Sequence, residues 1–215
     1  SVYMLKFKST NESKNWVSSD WHLGHQREFV WGSRGYKTHQ EHTDGVINGI
    51  NENVLSNDNL FYLGDFSLNS NEQLFNEYLS RINCQNIYML WGNHNSPGNS
   101  IYKTIIKAQY QRDDISVYPF RYRNVIFVGD YLEAIIDGKY NIMMHYPIDI
   151  WNWMEYGSYM LCGHSHYNFI KTQKEFNDGL ILDCGWDGHG KPYLFSEIVE
   201  IMNGKKIKTI DHHVN

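Results

Sequence analysis

Eleven histidines occur in the chain of 215 residues, and six of them, His22, His25, His94, His145, His164 and His166, sit where an apolar run gives way to polar residues. Five of these, all but His25, fall with Asp20, Asp65 and Asn93 in short motifs: Asp20-Trp21-His22, Gly64-Asp65, Gly92-Asn93-His94, His145 alone, and Gly163-His164-Ser165-His166. An Asp-x-His step at a strand end points two donors to one side, because side chains alternate with period two. His164 and His166 repeat the step with two imidazoles. Glycines at 64, 92 and 163 allow sharp turns and a close approach of backbone to an ion.

The donors Asp20, His22, Asp65, Asn93, His145, His164 and His166 mix carboxylate, imidazole and amide oxygen, with no thiolate. That argues against a structural cysteine-type zinc site. Such a set suits manganese first, with iron, zinc, nickel or magnesium as alternatives. Seven donors are too many for one ion and fit two divalent ions. Two ions about 3.5–4 Å apart clamp both oxygens of an in-line displacement and turn a bridging water into hydroxide near neutral pH. Asp65 is the candidate bridging carboxylate. His94, next to a ligand, is placed to protonate a leaving oxygen or stabilise developing charge.

The elements that must position these groups are legible in outline. Short apolar strands over 16–19, 59–63 and 87–91 each end at a motif, with helices over 43–55 and 72–82 between them. Thr43 is read as the N-cap of the first helix. A further helix over 100–109 follows. In open α/β sheets, ligands bind beyond the carboxyl ends of strands, which is where Asp20, Asp65 and Asn93 fall. The second half reads as strands over 125–128, 131–136, 140–145, 159–162, 180–183 and 195–202, with Asp137-Gly138 and Asn203-Gly204 as hairpin turns. An α/β half followed by a β-rich half implies two mixed sheets packed face to face with helices outside: a four-layer α-β-β-α sandwich, expected as a single domain over 1–215.

The ordered motifs resemble the calcineurin-like metallophosphoesterase superfamily, whose pattern is Asp-x-His, Gly-Asp, Gly-Asn-His-Glu/Asp, His and Gly-His-x-His. All five blocks occur in order between Asp20 and His166. The resemblance implies one metal on Asp20, His22, Asp65 and His166, and a second on Asp65, Asn93, His145 and His164. It also implies that Asp65 bridges and that His94 is the catalytic acid. The stretch Ser19 to His25 is similar to the compact subgroup common in bacteria and their phages. That subgroup continues with an arginine near an aromatic, here Arg34 and Tyr36, a His-Tyr-Pro block at 145–147, and a Gly-x-Asp turn at 185–187. Two departures stand out. Asn95 replaces the usual acidic residue, which implies altered tuning of His94. No arginine lies between Asp65 and Arg81, which argues against a protein phosphatase.

The functional expectation is a phosphoesterase acting on a small phosphodiester or phosphomonoester, nucleotide-derived, by attack of a metal-bridging hydroxide. A nuclease on DNA or RNA strands is the alternative, and a non-catalytic binding protein on this fold is a third. A net charge of −5 speaks against a general polyanion binder, although a local basic groove would still admit nucleic acid. His25 and Arg34 are the candidate substrate-binding residues, Arg34 because its planar donors suit phosphate. For His25 a loop cap, and for Arg34 a surface ion pair, are the plain alternatives. His39, His42 and His189 read as surface residues, and His212 and His213 as incidental at the terminus. Trp151 and Trp153 would stack on a base or, more commonly, pack in the core or at the rim. Cys84, Cys162 and Cys184 read as small buried hydrophobes. With few cysteines, no signal-peptide core and no apolar run of about 18 residues, the expectation is a cytoplasmic protein without membrane contact.

Overall fold

The computed structural model describes residues 4–26, 28–67, 71–92, 96–164 and 179–210. In chain order the elements begin with β1 Met4–Phe7, β2 Asn15–Ser18, α1 Glu28–Ser33, α2 His39–Asn53, β3 Asn59–Tyr62, α3 Glu72–Arg81, β4 Asn86–Leu90 and α4 Ser96–Tyr110. The β-rich half follows with β5 Phe120–Tyr122, β6 Val125–Gly129, β7 Tyr131–Ile136, β8 Lys139–Met144, a 3-10 turn Met154–Tyr156, β9 Tyr159–Cys162 and β10 Ile181–Asp183. The chain then runs through α5 Trp186–His189, β11 Tyr193–Leu194 and α6 Phe195–Asn203.

Two mixed sheets form. The first has six strands in the order β11-β2-β3-β4-β6-β5, with β2, β3, β4 and β6 parallel and an antiparallel strand at each edge. The second has five strands in the order β1-β7-β8-β9-β10, with only the β7–β8 pair antiparallel. The parallel strands are buried on both faces, which is why they read as continuous apolar runs. Alternate residues serve different layers. From β2 and β3, Trp16, Leu60 and Tyr62 face Val46, Ile50, Tyr78 and Leu79 of the helices. Val17 and Phe61 join Ala134, Met143 and Leu161 of the second sheet in the core between sheets. The far face of the second sheet carries Ile142, Met160 and Ile181 beneath Trp151 and Met154. The result is the α-β-β-α sandwich expected from the sequence. Among the described residues, the layer over the far face of the second sheet is the segment around the 3-10 turn.

Three expectations about elements are corrected. The segment 195–202 is not a strand but helix α6. Phe195, Ile198 and Met202 are buried at helical spacing, and Glu197 accepts the Leu194 N–H at 3.1 Å to cap the first turn. Gly204 therefore ends a helix instead of closing a hairpin. Helix α2 starts four residues before Thr43, with Thr38 as N-cap accepting the Glu41 N–H at 3.1 Å. Thr43 is instead buried and accepts the Gly24 N–H at 2.9 Å, tying α2 to the loop after β2. Among the described helices none is long and apolar enough to cross a membrane.

Candidate metal centre

The carboxyl ends of the parallel strands open on one rim, and the motif residues gather there. Asp20 and His22 follow β2, Asp65 follows β3, His145 follows β8 and His164 follows β9. Ligand atoms of Asp20, His22 and Asp65 lie within 4.8 Å of one another, as do those of Asp65, His145 and His164. Asp65 is common to both groups. Its Oδ2 is 3.9 Å from His22 Nε2 and 3.4 Å from His145 Nε2. Asn93, His94, Asn95 and His166 lie outside the described residues, as do His212 and His213.

The local backbone is unusual. Asp20, His22, Asp65 and His164 all have positive φ, at 58°, 50°, 62° and 70°. Non-glycine residues in this region cost about 1–3 kcal/mol each and persist only where the surroundings over-determine them. Strand pleating is therefore not what brings Asp20 and His22 together, since β2 has already ended at Ser18. Two left-handed residues flank Trp21, whose side chain turns the other way and stacks on Tyr62 with ring centroids 4.1 Å apart. Trp21 is anchored further by its Nε1–H to Ser18 Oγ at 2.8 Å and by its backbone N–H to Tyr62 Oη at 3.1 Å. Neighbouring loops are cross-tied: the Asp20 N–H donates to the Gly64 carbonyl at 3.0 Å and the His22 N–H to the Asp65 carbonyl at 3.1 Å.

The glycines are required for close approach to ligands and to each other. A Cβ on Gly92 would lie 2.5 Å from Asp65 Oδ1, and one on Gly163 would lie 2.5 Å from Asp20 Oδ2. Asp20 Oδ2 also accepts the backbone N–H of His164 at 2.9 Å, which orients the carboxylate from the opposite sheet.

His145 is held at both ring nitrogens. Its Nδ1 is 2.9 Å from the Leu63 carbonyl, which fixes the proton there and leaves the Nε2 lone pair facing Asp65 and His164. Burial alone would lower its pKa, but the carboxylates of Asp65 and Asp20 outweigh that and raise it above the ordinary histidine value. The donor set fits divalent metal. Two buried carboxylates and three imidazoles converge within coordination reach, a charge arrangement that neutral side chains or water balance poorly and divalent cations balance well.

Of the two substrate-binding candidates, His25 is buried beside the site. Its ring meets His22 edge-on at 5.7 Å between centroids and Phe29 at the same distance. Arg34 is placed differently from the expectation. It is neither on the surface nor free to bind phosphate, because every one of its five donors is engaged. Nε and Nη2 hold Asp187 Oδ1 and Oδ2 at 2.7 and 3.1 Å, Nη2 donates to the Asp20 carbonyl at 2.7 Å, and Nη1 donates to the Trp21 carbonyl at 3.0 Å and to His42 Nε2 at 2.8 Å. His42 is also corrected: it is fully buried, and since guanidinium only donates, its Nε2 must accept. Burial, reinforced by the Arg34 charge, pushes its pKa down to about 4. Sequence reasoning missed Asp187 as a partner of Arg34, which lies 153 residues away. His189 is half-buried and stacked on Tyr193 at 3.9 Å, not a free surface group. Trp151 is core, and Trp153 is exposed and stacked on Tyr140. All three cysteines are free and buried, as expected.

A layered fold with acidic and imidazole donors gathered at the strand ends provides a place for divalent metal. The sequence profile of the calcineurin-like phosphoesterase family matches residues 14–197, and the chain belongs to that family. It is therefore a metal-dependent phosphoric ester hydrolase. The fold is similar to the solved structure of the protein of unknown function AQ665 from Aquifex aeolicus, with a TM-score of 0.61 and 18% identity over 88% of this chain and 99% of that one. No curated protein matches it.

Proposed function

We propose that this chain hydrolyses a small nucleotide-derived phosphodiester or phosphomonoester at a centre for two divalent ions. The observation that carries the reading is that Asp65 belongs to two ligand groups at once, one with Asp20 and His22 and one with His145 and His164. A shared carboxylate is what a paired-ion site needs. Asn93 and His166 complete the proposed ligand set. Bound there, two divalent ions would supply a water nucleophile active at neutral pH and neutralise charge on the phosphoryl oxygens, with manganese as the first candidate.

The chain's own groups do the rest. Asp20 and Asp65 bring the anionic charge that retains cations, and the Leu63 carbonyl holds the His145 proton at Nδ1 so that Nε2 keeps its lone pair for a metal. His94 is assigned the proton that the leaving oxygen takes up, given from a ring nitrogen. His25 is assigned to the substrate side of His22. Two exposed aromatics at the edge of the site support a substrate carrying a flat group such as a base. Phe29, 66% exposed, adjoins His25, and Tyr146, 41% exposed, meets His145 and His164 at 4.9 and 4.7 Å between ring centroids.

The test is a panel of 2′,3′-cyclic and 3′,5′-cyclic nucleotides, nucleoside monophosphates and bis-p-nitrophenyl phosphate, each with Mn²⁺, Ni²⁺, Mg²⁺ or Zn²⁺. Turnover of a nucleotide substrate that depends on the ion supports the reading. Protein that binds the ions yet turns over none of the panel overturns it.

A further inference from the structure

The loop that carries Asp20 and His22 has a left-handed residue on each side of Trp21, and two side chains reach the Trp21 backbone: Tyr62 Oη accepts its N–H, and an arginine takes its carbonyl. Arg34 follows α1, is only 6% exposed at its side chain, and grips the carbonyls of Asp20 and Trp21 with two different nitrogens, Nη2 at 2.7 Å and Nη1 at 3.0 Å. With the Asp187 carboxylate and His42 these carbonyls make five acceptors, which the five N–H groups of a planar fork can meet and the three of an ammonium cannot. The other edge of the fork is fixed by both oxygens of Asp187. Asp187 is itself tied to the same strand end, because the Trp186 N–H donates to the Ser19 carbonyl at 3.0 Å and Ser19 bridges to Gly185. His42 of α2 receives the remaining donor.

We propose that Arg34, oriented by Asp187, is the positioning residue of the Asp20–His22 half of the metal centre, where it acts as a backbone clamp on the Asp20-Trp21-His22 loop. The inference rests on the reading that Asp20 and His22 hold an ion. It gives a chain-specific reason for a buried arginine where a phosphate contact would otherwise be assigned. It also makes a selective claim: removal of the clamp weakens the half-site of Asp20 and His22 and spares that of His145 and His164, whose backbone Arg34 does not touch.

The test compares the wild-type chain with Arg34→Gln, Arg34→Lys and Asp187→Asn by two measurements. The first is hydrogen exchange of the amides of residues 20–23 in chelator-treated protein. The second is Mn²⁺ binding followed by electron paramagnetic resonance. Expected are faster exchange confined to that loop and about 10- to 100-fold weaker binding of one Mn²⁺ equivalent, with the other unchanged. Lysine should fail to rescue, and Asp187→Asn should show the same change in smaller degree. If Arg34→Gln does not fold, Arg34→Lys and Asp187→Asn decide the question. Wild-type loop protection and both Mn²⁺ affinities intact in any folded Arg34 variant would overturn the clamp, as would equal weakening of both equivalents. Loosened loop amides in the variants, with no Mn²⁺ bound even by the wild-type chain, would instead uphold the clamp and sink the metal reading.

Discussion

His145 Nε2 lies 3.4 Å from Asp65 Oδ2 while its Nδ1 lies 2.9 Å from the carbonyl of Leu63, two residues before that aspartate. The end of one strand thus grips both edges of an imidazole delivered by the other sheet. One contact fixes the tautomer, and the other sets the distance to the shared carboxylate.

His145→Ala is expected to remove this link between the sheets at the site. The variant should bind one Mn²⁺ with near wild-type affinity and lose the second. Its kcat on bis-p-nitrophenyl phosphate should fall by on the order of 10²- to 10³-fold, as when one preorganised electrostatic group is removed. Equilibrium titration with Mn²⁺ and steady-state kinetics measure both.

Gly163→Ala tests the close approach to Asp20 of the segment that directly follows β9. The added Cβ would sit 2.5 Å from Asp20 Oδ2 and would also run into Ser19 Oγ, so the carboxylate or the loop must shift. A destabilisation of about 1–3 kcal/mol is expected from overpacking. Weaker Mn²⁺ binding should accompany it in the half that uses Asp20. Denaturant midpoints and metal titration read the two effects separately.

His42 gives the pH dependence of stability its sign. Its folded pKa is depressed to about 4 from 6.5, first by burial and then by the Arg34 charge, with Asp187 opposing. On acidification the unfolded chain therefore binds a proton before the folded one does. The contribution of His42 is fully present above about pH 6.5 and is lost progressively as pH falls toward about 4. Wild-type stability should decline across that window, and His42→Gln, which keeps an acceptor for Arg34, should flatten the decline. Urea denaturation at stepped pH values checks this.

Much of the centre was legible because its donors sit at the ends of apolar runs. The runs ending near Asp20, Asp65, His145 and His164 are strands, and the structure brings those residues together with His22. The reason differed from the one pleating suggests: left-handed turns at Asp20 and His22, invisible in a hydrophobic pattern, turn both side chains toward Asp65. Residues 195–202 were misread because Ile198, Val199 and Ile201 favour strands, while burial follows the helical spacing of Phe195, Ile198 and Met202. Arg34 was misassigned for a different cause. Its partners Asp187 and His42, and the carbonyls of Asp20 and Trp21, come from three separate stretches of chain, and no local pattern reports such an encounter. Helices α1 and α5 are too short to show a period.

The most direct test of the account is Mn²⁺ stoichiometry measured together with hydrolysis of bis-p-nitrophenyl phosphate in wild-type protein and in Asp65→Ala. The shared position of Asp65 predicts two bound ions per wild-type chain with metal-dependent hydrolysis. In the variant it predicts weakening of both ions and an activity loss on the order of 10³-fold or more. An Asp65→Ala protein that is folded, retains two ions and hydrolyses the ester at the wild-type rate would contradict it.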